Sequence, residues 1–91
     1  MRDNLTTLNF IFTKDEIEYL NIIQSTLKFE PMRGGRRFIL KLTMQQAMDL
    51  SDKLTDLLME IGFTEDGEDV NSKGRIIEEI IDKLFAAEDF Q

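Results

Sequence analysis

Apolar residues recur at steps of three and four along the stretch from Thr43 to Gly62, which is the spacing of one face of an α-helix. Thr43 followed by Gln46 has the pattern of a capping box, in which each side chain satisfies a free backbone group at the helix start. Gly62 is expected to take the left-handed conformation just past the last turn. The sequence therefore predicts a central helix with one aliphatic stripe at the centre of the core. This stripe consists of Ala47, Leu50, Leu54, Leu57 and Ile61.

Two further sides of the same helix carry methionines and acids. We expect the methionines, Met44, Met48 and Met59, to fill gaps against the last helix. The alternative is that they form a binding surface, because flexible and polarizable side chains tolerate varied partners. The remaining side carries four acids that we expect to be exposed, since carboxylates are rarely buried without a partner. We term them the acidic wall: Asp49, Asp52, Asp56 and Glu60.

Strict alternation of apolar and polar residues predicts two strands ahead of the central helix. The first strand places Phe10 and Phe12 on one side and leads into a second capping box, formed by Thr13 and Glu16. The second strand runs from Arg37 to Leu42 and leads directly into the central helix. Each strand is thus followed by a helix, and we expect both helices to pack on the sheet face that carries the Phe and Leu side chains.

The segment between the two strands is expected to contain the first helix and a hairpin. We predict that the helix beginning at Thr13 ends near Lys28, because Pro31 cannot continue it. Gly34 and Gly35 can both adopt positive φ, so they are expected to form the two-residue turn of the hairpin. Its first arm is short and, because it contains Pro31, is confined to a sheet edge.

The last helix follows a polar loop. Either Asn71 or Ser72 is expected to cap this helix through a side-chain oxygen. Gly74 in its first turn would permit close approach to the central helix or the sheet. Phe85 and Phe90, near the end of the chain, are expected to extend the packing.

The chain of 91 residues is short enough for one domain with a thin core. The elements predict an α+β fold in the order β-α-β-α-α, with a small two- or three-stranded sheet and three helices packed on one face. We expect this single acidic domain to span residues 1–91, with residues 1–4 and 86–91 frayed.

The chain contains no cysteine and no histidine, and this composition excludes many kinds of chemistry. Without cysteine there are no disulfides, thiolate nucleophiles or cysteine zinc ligands. Without histidine, the commonest metal ligand and the commonest general base are missing. No other pattern predicts a catalytic site, so we expect a protein that is not an enzyme and needs no metal or cofactor. The sequence also lacks a signal-peptide core and a membrane-spanning run, which favours a cytoplasmic protein.

Charge divides the chain into two unequal halves. Residues 1–43 contain seven Lys or Arg and five Asp or Glu, a net charge of +2, whereas residues 44–91 contain four and thirteen, a net charge of −9. Such a surface attracts basic partners and disfavours nucleic acid and anionic membranes. The alternative is that the acidic surface serves solubility alone. The loop after the central helix extends the charge of the acidic wall with Glu65, Asp66, Glu68 and Asp69.

Two loops have compositions that suit ions. Residues 69–76 share the Asp, Asn and Gly spacing of an EF-hand calcium loop, but Lys73 and Ile80 stand where oxygen ligands are needed. Residues 33–37, RGGRR, place arginines around the paired glycines, and such turns can bind phosphate. We expect instead an acidic loop that leads into a helix cap and a solvated hairpin whose arginines pair with nearby acids. Weak cation or phosphate binding is the third hypothesis.

The sheet face that points away from the helices is a candidate dimer surface. Ile11 and Ile39 are expected there beside Arg37 and Lys41, and a small sheet with a bare face and open edges is marginal on its own. Pairing of strand edges between two copies would give a homodimer.

The leading hypothesis is a non-catalytic module that binds a basic protein through the acidic wall and the following loop. Immunity proteins, antitoxins and small inhibitors are comparable only in size and charge. The competing hypothesis is a structural homodimer in which a second copy of the chain is the partner.

Overall fold

A computed structural model of the protein describes residues 7–86, and within that range the chain forms three strands and three helices. The strands form one antiparallel sheet in the order β1-β3-β2. The predicted α+β class and the order of the elements are therefore confirmed. The strands are β1 (Thr7–Thr13), β2 (Glu30–Pro31) and β3 (Arg37–Thr43), and the helices are α1 (Lys14–Ile23), α2 (Met44–Ile61) and α3 (Ser72–Ala86).

The two long strands, β1 and β3, pair along their whole length, from Thr7 opposite Thr43 to Thr13 opposite Arg37. Because side chains alternate between the faces of a strand, Leu8, Phe10 and Phe12 of β1 share one face with Phe38, Leu40 and Leu42 of β3. The buried residues of this face are Phe10, Phe12, Leu40 and Leu42. Since the strands are antiparallel, Thr13 and Thr43 lie at opposite ends of the pair. The helices α1 and α2 therefore leave the sheet at opposite ends and return across the same buried face.

The core lies between this face and the three helices. Side chains that are at most 2% exposed come from every helix: Leu20 from α1, Leu50 and Leu54 from α2, and Ile77 and Ile80 from α3. The aliphatic stripe of α2 is confirmed as part of this core, because its first four members are buried and Ile61 packs against them. Both predicted capping boxes are also present, at the starts of α1 and α2.

The first helix is shorter than the sequence predicts. It ends at Ile23 rather than near Lys28, because Gln24 adopts an extended conformation with φ −158° and ψ 99°. Ser and Thr have low helix propensity, and Ser25 and Thr26 form a turn directly after this cap. The apolar residues beyond the turn, Leu27 and Phe29, reach the core from an irregular segment instead of a helix.

The hairpin between β2 and β3 uses both predicted glycines, but its loop is longer than two residues. Gly34 and Gly35 have φ values of 95° and 71°. The amide of Gly35 donates to the carbonyl of Met32 at 2.9 Å, and the amide of Met32 donates to the carbonyl of Arg37 at 2.8 Å. Residues 33–36 therefore connect the two arms. Pro31 lies in an edge strand, as predicted, because β2 pairs only with β3.

Two glycines at the junction of α2 and α3, Gly62 and Gly74, allow the two helices to approach each other closely. Gly62 is not left-handed, since its φ is −91° and its ψ is −2°. A Cβ atom at Gly62 would lie 3.1 Å from the Cα of Gly74 and would clash with Leu58, and a Cβ at Gly74 would clash with the carbonyl of Gly62. The predicted close approach at Gly74 is thus confirmed, whereas the left-handed cap at Gly62 is wrong. A side chain at either position would separate the two helices.

Asn71 caps α3 and also attaches it to the end of α2. Its Oδ1 accepts a hydrogen bond of 2.8 Å from the amide of Gly74. Its Nδ2 donates to the carbonyl of Ile61 at 2.8 Å and to that of Phe63 at 3.1 Å. Of the two predicted caps, Asn71 is therefore the residue whose side chain bonds the first turn.

Ala86, which was expected to fray, is the last residue of α3. The predictions for residues 1–4, residues 87–91 and Phe90 lie outside the described residues. Within residues 7–86, no helix combines the length and the hydropathy needed to cross a membrane.

Candidate functional site

The four carboxylates of the acidic wall follow one another along the exposed side of α2. Their spacing of three, four and four residues keeps them on one side of the helix. With a rise of 1.5 Å per residue, the wall extends for about 16 Å. Lys53 is the only lysine of α2, and its Nζ donates to Oε1 of Gln24 at 2.9 Å. Within residues 7–86, no carboxylate of the wall forms an ion pair.

The loop that follows α2 is closed by its own backbone. A bridge pairs Phe63 with Val70, and inside it the amide of Thr64 donates to the carbonyl of Asp69 at 2.8 Å. Gly67 has a φ of 74°, a conformation that favours glycine, and its amide donates to the carbonyl of Thr64 at 2.8 Å. The loop therefore presents its acids from a hydrogen-bonded turn.

Asp66 organises this loop through its side chain. Its Oδ1 accepts from the Thr64 hydroxyl at 2.6 Å and from the amide of Glu68 at 3.1 Å. These two donors, the hydroxyl first, lower the pKa of Asp66 below its ordinary value of 3.8, because both favour the charged carboxylate. Asp66 thus shapes the loop, and all four loop acids remain exposed.

The acidic wall and the loop meet at the end of α2. A depression of about 390 Å³ lies there and is lined by Met59, Glu60, Phe63, Thr64 and Gly67. Glu60 is the last residue of the wall, so the depression joins the wall to the loop. The structure therefore places all eight predicted partner-binding acids on two adjoining exposed segments.

Met48 and Met59 do not fill gaps in the core, so the expectation from the sequence is wrong for these two methionines. Met48 is 45% exposed and Met59 is 69% exposed, whereas Met44 is half-buried. The close approach of α2 to α3 gives the physical reason. Gly62 and Gly74 bring the two helices into contact, and the buried side of α2 carries the small residues Ala47 and Ser51. Larger side chains at the margin are left outside.

A second depression, of about 410 Å³, lies between α2 and α3. It is lined by Leu58 from α2 and by Glu78, Ile81 and Asp82 from α3. Phe85, one turn beyond Ile81, is 47% exposed, so the expectation that it extends the packing is wrong. We term this surface the α2–α3 groove. The sequence offered the methionine side of α2 as an alternative binding surface, but no pattern indicated the α3 side of this groove.

The four predicted dimer-face residues do lie on one face of the sheet. Ile11 is directly opposite Ile39, and their neighbours on that face include Arg37 and Lys41. Ile11 is 42% exposed and Ile39 is half-buried, while both basic residues are exposed. Within residues 7–86 the arginines of the hairpin form no ion pair, so their expected pairing with nearby acids is wrong.

The residues with EF-hand spacing are used for other purposes. The side-chain oxygen of Asn71 accepts the amide of Gly74, and Asp69 closes the loop through its carbonyl. Across residues 7–86, no three acidic side chains come close enough together to form a metal site.

An ion pair between a half-exposed lysine and a buried carboxylate connects α3 to the start of α1. Nζ of Lys83 lies 2.7 Å from Oε1 of Glu16 and also donates to the carbonyl of Ile11 at 3.1 Å. The Nζ atom lies 5.5 Å from the centre of the Phe12 ring. The sequence assigned Glu16 to a capping box alone, and no local pattern indicates a partner 67 residues away.

Comparison of the chain with protein-family models, with curated proteins and with solved structures found no match. A proposal for its function must therefore come from the surfaces that its own residues form.

Proposed function

We propose that the chain is a non-catalytic, cytoplasmic protein-binding module that meets a basic protein through the acidic wall and the loop after α2. Exposed Met59 beside Glu60 is the observation that carries this proposal. Protein interfaces combine an apolar centre, in which methionine is enriched, with a charged rim. The depression at the end of α2 offers this combination, with Met59, Phe63 and the carboxylate of Glu60 in its lining.

The repulsion within the wall supports the same proposal. Asp52, Asp56 and Glu60 stand four residues apart, and like charges at this spacing destabilise a helix by about 0.2–0.5 kcal/mol per pair. Lys53 does not offset this repulsion, because its Nζ bonds Gln24 instead of a carboxylate of the wall. A basic partner would relieve the repulsion. Its attraction would act over about 8 Å at physiological ionic strength and would weaken in salt.

A capture experiment with matched variants tests the proposal. The immobilised protein is exposed to lysate of its own source cell at low and at high salt, and the retained proteins are identified. The wall variant D52N/D56N/E60Q removes three charges. The control variant E18Q/E30Q/E79Q removes three charges from exposed positions on other elements.

We expect a basic protein to be retained at low salt by the wild type and by the control variant, and to be lost with the wall variant. High salt should also release the basic protein from the wild type. Equal retention by the wall variant would contradict the proposal, because the charge of the wall would then have no role.

A structural homodimer is a second candidate, favoured by the pair of Ile11 and Ile39 on the uncovered face of the sheet. Light scattering at micromolar concentration measures the mass directly. A dimer that the substitution I11T converts to a monomer would support this candidate, and a wild-type monomer would reject it.

A further inference from the structure

The exposed apolar side chains are concentrated on the two C-terminal helices. Within residues 7–86, five large apolar side chains are exposed, and three of these belong to α2 and α3: Met48, Met59 and Phe85. Single exposed apolar residues are common, but a cluster with polar edges marks an interaction site.

Helical spacing places these side chains on two stripes that flank the α2–α3 groove. At about 100° per residue, Met48, Thr55 and Met59 fall on one stripe of α2. Ile81 and Phe85 fall on one stripe of α3. The helices pass back along each other from the contact of Gly62 with Gly74, and the depression between Leu58 and Ile81 lies between the two stripes. Leu58 and Ile81 thus form the apolar part of the floor, and the exposed side chains of Met48, Met59 and Phe85 lie on the stripes beside it.

Both edges of the groove are acidic. Asp52 and Asp56 lie on the neighbouring stripe of α2, and Glu78 and Asp82 line the depression from α3. All four are exposed.

The nearby lysines do not neutralise these edges. Nζ of Lys53 bonds Gln24 on the far side of α2, and Nζ of Lys83 bonds Glu16. Lys73 and Arg75, both exposed in the first turn of α3, form no ion pair within residues 7–86.

We infer that the α2–α3 groove binds a basic amphipathic helix of a partner protein. This inference rests on the proposed function and specifies the partner's chemistry. An apolar stripe flanked by Lys and Arg complements an apolar floor flanked by carboxylates, and methionines adapt to the side chains that enter. The 15 residues of α3 span about 22 Å, which matches four turns of a bound helix.

Charge argues against other occupants. A second copy on this groove would bring two acidic edges together, and residues 44–91 carry a net charge of −9. An anionic membrane would be repelled for the same reason. The chain's own first helix is not suitable, because α1 contains one lysine and three acids, Asp15, Glu16 and Glu18.

Two synthetic peptides of 15 residues test the inference against the full chain. One is an amphipathic Leu/Lys helix, and the other has the same composition in an order without an apolar stripe. We expect the amphipathic peptide to bind and gain helical circular dichroism. We also expect it to shift the ε-methyl NMR signals of Met48 and Met59. The scrambled peptide should bind at least about tenfold more weakly, because it cannot fill the floor.

Two variants locate the site. The variant M48Q/M59Q keeps good helix formers and should weaken binding of the amphipathic peptide about tenfold. The control I22Q changes an equally exposed apolar residue of α1, which is 62% exposed, and should leave binding unchanged.

Equal binding of both peptides, no binding of either, or equal losses with both variants would overturn the groove inference. The proposed function has a separate criterion, which is loss of the retained basic protein when the acidic wall is neutralised. A wall that binds basic chains without shape preference would therefore satisfy the proposed function and still contradict the groove.

Discussion

The helices α1 and α2 begin with the same motif and bond it in the same way. In the first box, the amide of Thr13 donates to Oε1 of Glu16 at 2.8 Å, and the amide of Glu16 donates to the Thr13 hydroxyl at 3.3 Å. In the second box, the amide of Thr43 donates to Oε1 of Gln46 at 2.8 Å, and the return bond is 3.1 Å. As local structures the two boxes are interchangeable.

Their surroundings differ completely. Glu16 is 2% exposed and pairs with Lys83, which also reaches the backbone of β1. Gln46 is exposed, and within residues 7–86 its side chain bonds only the amide of Thr43. The first box is therefore a tertiary junction between β1, α1 and α3, whereas the second is a helix start and nothing more. The comparison shows that a capping motif predicts a helix end without predicting what packs on it.

Among the changes considered, removing Lys83 should reveal the largest difference in stability between the two boxes. In K83A the Glu16 carboxylate stays buried without its cation, whose own side chain is 40% exposed in the wild type. Breaking a buried pair from the exposed side leaves the buried charge uncompensated. We expect the free energy of unfolding in urea to fall by about 2–4 kcal/mol. The control K73A, at an exposed position of α3, should change it by less than about 0.5 kcal/mol.

The substitution E16Q completes a double-mutant cycle with K83A. It should cost less than K83A, because the amide oxygen still accepts from Thr13 and the lysine can move into water. The two losses should not add, and a coupling of at least about 1 kcal/mol is expected. Additive losses would mean that the ion pair does not attach α3 to the first box.

The threonines should contribute equally despite the different surroundings. In T13A and in T43A one helix loses the hydroxyl that accepts an amide at its start, which costs about 1 kcal/mol. Thermal or urea unfolding measures both, with T26A as a control outside the helices. A loss in T13A as large as that in K83A would show that the hydroxyl also supports the ion pair, and the two boxes would then differ locally as well.

The difference between local and long-range contacts also explains which parts of the fold the sequence predicted. The strands, both caps and the buried stripe of α2 follow from period and from contacts within four residues. The end of α1 did not, because Gln24 leaves the helix while Leu27 and Phe29 still reach the core. The bond from Lys83 to Glu16 joins positions that share no local pattern.

The candidate site divides in a similar manner. Exposure of the acidic wall follows from charge and helical spacing, and it was predicted. Exposure of Met48 and Met59 depends on how closely α3 approaches, which Gly62 and Gly74 determine. Hydropathy alone places a methionine inside, so their exposure beside the groove could be found only from the packed structure.

Making the second box resemble the first should have a small effect. Q46E introduces the carboxylate of the first box at an exposed position without a partner lysine. A negative charge in the first helical turn is stabilising by about 0.3–1 kcal/mol, and solvent exposure favours the low end. We expect a gain of about 0.3 kcal/mol that disappears at high salt. A gain above about 1 kcal/mol would mean that an exposed carboxylate stabilises this helix strongly on its own. Burial would then not explain the difference in stability between the boxes of Glu16 and Gln46.

Asp66 separates charge from burial, because it is charged like Glu16 and exposed like Gln46. Its pKa is lowered below 3.8 by the Thr64 hydroxyl and the Glu68 amide, so the bonds favour the ionised form. A group whose pKa is lower in the folded loop stabilises that loop above its ordinary pKa, and the contribution is lost as pH falls through the lowered value. The contribution of Asp66 to the loop should thus be lost only as the pH falls below 3.8. We expect the amide NMR shift of Glu68 to titrate with a midpoint below 3.8, and this step to vanish in D66N. It should persist in D52N, whose change lies on the acidic wall. A midpoint at or above 3.8 would mean that these local donors do not stabilise the charge of an exposed acid.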